Sequence, residues 1–187
     1  MVEELKITRE RDLSAEQAEE IRQLQHEAFP NEPDFVHQRW YGTPLSDDDV
    51  WFGLYRDGKL VGSIRLVHRN ILAGEKQFRI AGLANVCSSP LARGTGAGKR
   101  CMLAFQDYIT KEEDFDFGML FCGSHVHEFY KKLGWHDIDN EVLYETSDGN
   151  IVVSKDRTDD FIIMIYPAKM SVEQFPAGRI NLNGRTW

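Results

Sequence analysis

A chain of 187 residues with 42% hydrophobic and 28% charged side chains can bury a full core without disulfides or a structural metal, which excludes extended disorder and predicts a single domain over residues 1–187. Its 30 acidic against 22 basic residues give a formal net charge of -8, which excludes a general basic surface for a phosphodiester backbone and with it a nucleic-acid partner. A cationic small molecule suits that balance better, the bland alternative being an acidic surplus that only confers solubility.

Cys87, Cys101 and Cys122 are widely spaced and form no Cys-x-x-Cys pair, so a reducing compartment and no metal site are expected. The start, Met1-Val-Glu-Glu-Leu-Lys, lacks a basic segment followed by an apolar one. No run approaches the roughly 18 apolar residues of a membrane span. The expectation is a cytoplasmic protein with no membrane partner.

Ser14-Ala-Glu-Gln17 reads as a capping box opening a helix to about Phe29, with Ala18, Ile21, Leu24 and Ala28 on one face. Pro30 to Phe35 breaks that helix, and a second short helix is expected over Phe35 to Tyr41 before Gly42-Thr-Pro44. This loop-rich stretch suits the rim of a site. From Val50 the period changes to two: Trp51 to Arg56 and Lys59 to His68 flank Asp57-Gly58, the signal of a type I′ hairpin. A third strand is expected over Lys76 to Cys87, leading into Arg93-Gly-Thr-Gly-Ala-Gly98. The following helix carries Met102, Leu103, Phe105, Tyr108 and Ile109 as an apolar stripe and ends in the charged run Lys111 to Asp114. Phe117 to Phe121 reads as a buried strand, and His125 to Leu133 as a short helix stopped by Gly134. Beyond Trp135, a turn at Ser147 to Asn150 and a strand over Phe161 to Tyr166 are expected. The tail past Lys169 shows no clear period.

A strand feeding a glycine turn and then a helix aims several backbone amides at one point, where the positive end of the helix dipole adds to them. Such a point binds an anion. Glycine lets a phosphate approach the main chain closely, and Arg93 and Lys99 can add charged contacts. A Walker loop is disfavoured, because the residue five before Gly98 is Arg93 and the one after Lys99 is Arg100. A dinucleotide fingerprint is disfavoured too, because the glycines run Gly94-x-Gly96-x-Gly98 with Lys99 where the third should stand. The bland alternative is a turn that only lets helix and sheet pack closely.

Pro90-Leu-Ala-Arg93-Gly-Thr-Gly96-Ala-Gly98 resembles the Gln/Arg-x-x-Gly-x-Gly/Ala motif of GNAT acetyltransferases, and Phe129-Tyr130-Lys-Lys-Leu-Gly-Trp135 resembles that superfamily's second mark. The resemblance implies an α/β (α+β) fold: a twisted, mixed, mostly antiparallel sheet with helices on both faces. It also implies acetyl-CoA as cofactor. Main chain at Val86 and Ser88 would pair with the pantetheine arm, and the segment Arg93, Gly94, Thr95, Gly96, Ala97, Gly98 and Lys99 would hold the pyrophosphate. Ser124, at the start of the later helix, joins these cofactor contacts.

Within the superfamily the chain resembles aminoglycoside 2'-N-acetyltransferases weakly, through Ile21-Arg-Gln, Ala28-Phe29, Asp34-Phe35 with Trp40, Asp159-Asp160 and Trp187. There a terminal tryptophan carboxylate enters the site, which implies an acceptor role for Trp187. Three departures oppose an antibiotic acceptor: Ala84 stands where a strand glutamate is usual, and Arg39 and Arg185 fall on acidic positions. Arginines there reverse the field met by a polycation.

The expected reaction is transfer of acetyl from acetyl-CoA to a primary amine of a small molecule by direct attack in a ternary complex, the acceptor pocket being altered from the aminoglycoside type. Tyr130 is the expected acid for the leaving thiolate, and the Val86 amide the oxyanion donor. Asp34, Asp159, Asp160 and Trp187 are the candidate acceptor-side groups and the candidates for the base, working through water, with no dedicated base as the alternative if the amine arrives partly neutral. His127 is a further candidate whose alternative is a structural histidine. A non-catalytic acyl-CoA-binding module and a longer-chain N-acyltransferase stay open, as does a homodimer.

Overall fold

The computed structural model describes residues 2–111, 113–154 and 161–187. Among them the chain forms β1 (Glu3–Arg9), α1 (Ala15–Ala28), β2 (Val50–Arg56), β3 (Lys59–Ala73), β4 (Lys76–Ser88), α2 (Ala97–Lys111), β5 (Phe117–Cys122), α3 (Ser124–Lys131), β6 (His136–Asp137), β7 (Val142–Glu145), β8 (Ile151–Val153), β9 (Ile162–Pro167) and β10 (Ile180–Arg185). The mixed α/β class expected from the sequence holds. Two compact units result, one of Met1–Val67 with Ala84–Phe105 and one of His68–Leu83 with Gln106–Trp187. No helix among the described residues is long and apolar enough to cross a membrane.

In the first unit Asp57 and Gly58 take φ of 47° and 79°, the left-handed pair that a type I′ turn requires, and they join β2 to β3. β1 lies antiparallel on β2 from Glu3↔Arg56 to Arg9↔Val50, and β2 antiparallel on β3 from Val50↔Leu66 to Arg56↔Lys59. The two faces of this ribbon meet different helices. Phe52 packs against Phe105 of α2 at 5.7 Å between ring centroids, and a Cβ on Gly62 would stand 3.1 Å from Cys101 Sγ, also on α2. On the opposite face, the Tyr55 hydroxyl donates to Glu20 of α1 at 3.1 Å.

α1 starts where the sequence predicts. The Gln17 amide donates to Ser14 Oγ at 3.1 Å, and the Ser14 amide donates to Gln17 Oε1 at 3.0 Å. This satisfies two of the amides that a helix start leaves without partners. The expected second helix over Phe35 to Tyr41 does not form. Instead a single 3₁₀ turn, Pro33–Val36, follows Glu32, because Pro33 fixes its own φ at the turn's start and Gly42 reverses the chain at φ 71°. The loop beyond is tied down by Arg65, which is 0% exposed. Its guanidinium donates to Asp49 Oδ2 at 2.8 and 2.6 Å and to the carbonyls of Thr43 and Pro44 at 2.8 and 2.7 Å.

The strand order is β6-β9-β5-β4-β3-β10-β7-β8, and the second unit takes in residues 68–73 of β3 and 76–83 of β4. β4 lies parallel to β5 over Ile80–Gly82 against Phe117–Met119, and β10 parallel to β7. The pairs β5·β9, β6·β9, β7·β8 and β10·β3 are antiparallel. Gly118 is a close-approach glycine, since a Cβ there would stand 3.1 Å from both Ile109 Cδ1 and the Trp135 ring. β1 and β10 lie outside the sequence expectations. β1 carries no buried residue, and its alternation is confined to Leu5 and Ile7 between polar neighbours. β10 belongs to the aperiodic tail and is fixed by partners distant in sequence.

Candidate functional site

Near its end β4 bends at Asn85, whose φ of 52° places a non-glycine residue in the left-handed region and re-aims the next residue, Val86. Val86 and Ser88 are half-buried. The Ser89 amide donates to the Val61 carbonyl at 3.0 Å, and Ser89 Oγ accepts from the Leu91 amide at 3.4 Å. That cap opens the 3₁₀ turn Pro90–Ala92, which delivers the chain to the glycine loop.

Gly94 and Gly96 take φ of 75° and 81°, a conformation that side chains rarely adopt. The loop is held from below. Thr95 Oγ1 donates to the Ala92 carbonyl and accepts from Arg56 Nη1, both at 2.6 Å, while Arg56 Nη2 and Arg100 Nη2 donate to the Thr95 carbonyl at 3.3 and 3.0 Å. Glu3 on β1 pairs with both guanidiniums. α2 then begins at Ala97, and the first amides of a helix have no intrahelical acceptor. A Cβ on Gly94 would meet no atom within 4 Å, and one on Gly96 only Arg100 Nη1 at 3.9 Å. The space over the loop is therefore open to a phosphate group, and the exposed Arg93 and Lys99 flank it. These residues fit a pyrophosphate by their amides, their charge and the room above them.

In the second unit, exposed Ser124 opens α3 behind Gly123. Tyr130, two turns on, is 8% exposed. Burial pushes its phenol well above the ordinary value, with the nearby Cys122 thiol adding to the rise, so the group keeps its proton at neutral pH. His127 pairs through Nε2 with Asp137 on β6 at 2.6 Å, a clip between helix and strand. The Trp187 indole N–H donates to the Met119 carbonyl at 3.2 Å, and its ring covers Gly82, where a Cβ would come within 2.5 Å. Phe121 packs on that ring at 5.0 Å, and the Arg69 guanidinium stands 5.7 Å from it.

Asp34 lies exposed in the Pro33–Val36 turn of the first unit. Asp159 and Asp160 lie outside the described residues. Ala84 is buried on β4 with no titratable atom to offer. Arg39, expected to reverse the local field, is paired with Glu10, which also accepts from the Trp51 indole at 2.7 Å. Arg185 Nη2 donates to the Ser147 carbonyl at 2.9 Å. Glu10 offsets the charge of Arg39, whereas a neutral carbonyl partner leaves Arg185 its positive charge. Arg56, Arg100 and Glu3 were not singled out from the sequence. Arg56 reaches Thr95 from 39 positions away and Glu3 meets both guanidiniums from β1, so no short window marks these two, while Arg100 reaches the Thr95 carbonyl from five positions along the chain.

The burial of Cys87 drives its thiol pKa upward, and Cys101 is pushed up to about 11 by the same cause. Both thiols stay protonated at neutral pH, which is inert behaviour.

A family model described as an acetyltransferase (GNAT) domain matches residues 9–138. Solved structures similar to this chain include ElaA of Escherichia coli, 19% identical, covering 88% of this chain and 99% of that one with a TM-score of 0.63. An acyl-CoA N-acyltransferase from Pseudomonas aeruginosa is 23% identical over 88% and 99% of the two chains, TM-score 0.61. The ribosomal-protein-S18-alanine N-acetyltransferase of Escherichia coli is 17% identical over 93% and 100%, TM-score 0.57. At these identities the likeness is one of fold. Among curated proteins no sequence matches.

Proposed function

From the premise that this chain belongs to the GNAT acetyltransferase family, whose members transfer acyl groups from acyl-CoA to amines, we propose that it is an acetyl-CoA-dependent N-acetyltransferase acting on a primary amine of a small molecule. The observation that carries the reading is the glycine loop of the first unit, fixed from below by Arg56, Arg100 and Glu3 and open above Gly94 and Gly96. In this reading the amides from Gly94 to Lys99 hold the pyrophosphate with Arg93 beside them. Val86 and Ser88 pair with the pantetheine arm, and Ser124 adds a hydroxyl.

Bound acetyl-CoA supplies an acetyl group activated as a thioester. The Val86 amide is assigned to the oxygen that gains negative charge, as a preorganised donor. Tyr130 is assigned the proton for the thiolate. Its buried phenol keeps its proton until the thiolate forms, the raised pKa making it a weaker acid than a free phenol. Asp34, Asp159, Asp160 and Trp187 are assigned to the acceptor side, Asp34 and Trp187 also as candidates for the base.

The buried Ala84 favours a second reading, a module that binds acyl-CoA without turnover. Free-thiol release from acetyl-CoA, measured against aminoglycosides, polyamines, amino acids and amino-acid amides, separates the two. Amine-dependent release supports the enzyme. Saturable cofactor binding with no release on any amine overturns it in favour of the module.

A further inference from the structure

Gln25 on α1 is 0% exposed, and neither its Oε1 nor its Nε2 has a hydrogen-bond partner among the described residues. Burying an unpaired amide is unfavourable, and a leucine or methionine of similar volume would carry no such penalty. Retaining one is expected where a ligand supplies the missing partners. Ser63 on β3 is equally buried, and its Oγ is also without a partner.

Both groups belong to the layer between α1 and the sheet. Ser63 pairs across the ribbon with Gly53, so their side chains share a face. A Cβ on Gly53 would meet the Tyr55 ring at 3.2 Å, and Tyr55 reaches Glu20 of α1 from that same face.

Arg22, Gln25 and Phe29 follow one another along one stripe of the helix. The outer two both hold the Pro33–Val36 turn. Arg22 Nη1 donates to the carbonyls of Phe35 and Val36 at 3.2 and 2.7 Å, and the Phe29 and Phe35 rings stand 5.6 Å apart. The turn is therefore pinned to α1 by the residues that flank Gln25 on that stripe.

We propose that Gln25, with Ser63, is a polar subsite for a neutral carboxamide group of the acceptor, and that the Pro33–Val36 turn is the cover that closes over it. The side-chain amide presents a donor and an acceptor side by side, which another amide matches with two hydrogen bonds. Charge is not matched there. Arg22 is taken up by Glu19 and the two carbonyls, Arg65 by Asp49 and Arg39 by Glu10, so an anionic group would be buried without a counter-ion. The inference deepens the N-acetyltransferase reading by naming amino-acid amides as the acceptor class.

The test is calorimetric binding to the coenzyme A-loaded protein of leucinamide and of 3-methylbutylamine, which is the same amine without its carboxamide. The wild-type chain should bind leucinamide at least tenfold more tightly. Gln25→Met should erase that preference, raise the melting temperature and leave coenzyme A affinity unchanged, and Ser63→Ala should reduce the preference in part. Equal binding of the two amines by the wild-type chain, or a preference that survives Gln25→Met, overturns the proposal. Because the readout is binding, the subsite can stand even if acetyl transfer does not occur, and acetyl transfer can stand even if the subsite fails.

Discussion

Arg56 and Thr95, 39 positions apart, are joined by two hydrogen bonds: Nη1 donates to Oγ1 at 2.6 Å and Nη2 to the carbonyl at 3.3 Å. One strand of the β2–β3 ribbon thereby sets the shape of the glycine loop. Arg56→Ala should weaken coenzyme A binding by roughly tenfold, since a charge-assisted hydrogen bond contributes about 1.5–3 kcal/mol and the loop keeps its Arg100 contact. Arg56→Lys should recover part of the loss. Titration calorimetry measures both, and unchanged affinity in the alanine variant would sink the positioning role.

Gly96→Glu tests the anion site itself. Its φ of 81° strains any side chain, and a carboxylate at the start of α2 repels phosphate. Coenzyme A binding should fall below detection while Gly58→Ala, at another left-handed glycine, leaves it intact. Equal affinities in the two variants would remove the pyrophosphate from this loop.

The ring of Trp187 leaves no room for a side chain at Gly82. Gly82→Ala should destabilise the fold by about 1–3 kcal/mol through overpacking. Trp187→Ala should cost about 3–5 kcal/mol through the cavity it opens. In the double variant the two losses should fall short of their sum by about 1 kcal/mol or more, because the clash disappears with the ring. Urea denaturation reads all three, and strict additivity would mean that the ring and the glycine do not meet.

Asp49 is the counter-ion of fully buried Arg65. Removing it by Asp49→Ala leaves a buried charge with only carbonyl partners and should cost about 3–5 kcal/mol. A loss under about 1 kcal/mol in denaturant titration would show that the loop carbonyls alone suffice.

Alkaline pH should erode stability through the buried thiols. Cys101 moves from 9.0 to about 11 in the folded chain. Between those values the unfolded chain has released the proton that the folded chain keeps, so stability is full below pH 9 and declines toward pH 11. Two pKa units correspond to about 2–3 kcal/mol. Cys101→Ala should flatten part of that decline in urea titrations at pH 8, 9 and 10. An identical pH profile in the variant would mean the thiol is not the cause.

Much of the fold is legible in short windows of sequence. Ser14 and Gln17 announce α1, Asp57-Gly58 announces the hairpin, and Gly94 to Gly98 announce the start of α2, because each feature is a local backbone requirement met by adjacent residues. The second short helix failed for the opposite reason: its apolar and aromatic residues fit a helix, but the chain gains more by laying Phe35 against Phe29 and tying its carbonyl to Arg22.

By itself, then, the sequence determined the hairpin and the glycine turn that opens α2 with its flanking cations, since these depend on conformational preferences within a few residues, while the mixed α/β class was legible through the resemblance its two motifs carry. Only the tertiary structure decided that Arg39 is spent on Glu10, that Trp187 lies on Gly82, that Arg56 shapes the loop at Thr95, and that Gln25 is buried without a partner among the described residues. Burial and pairing are properties of neighbours brought together from distant positions, and no periodicity along the chain records which neighbour a side chain will meet.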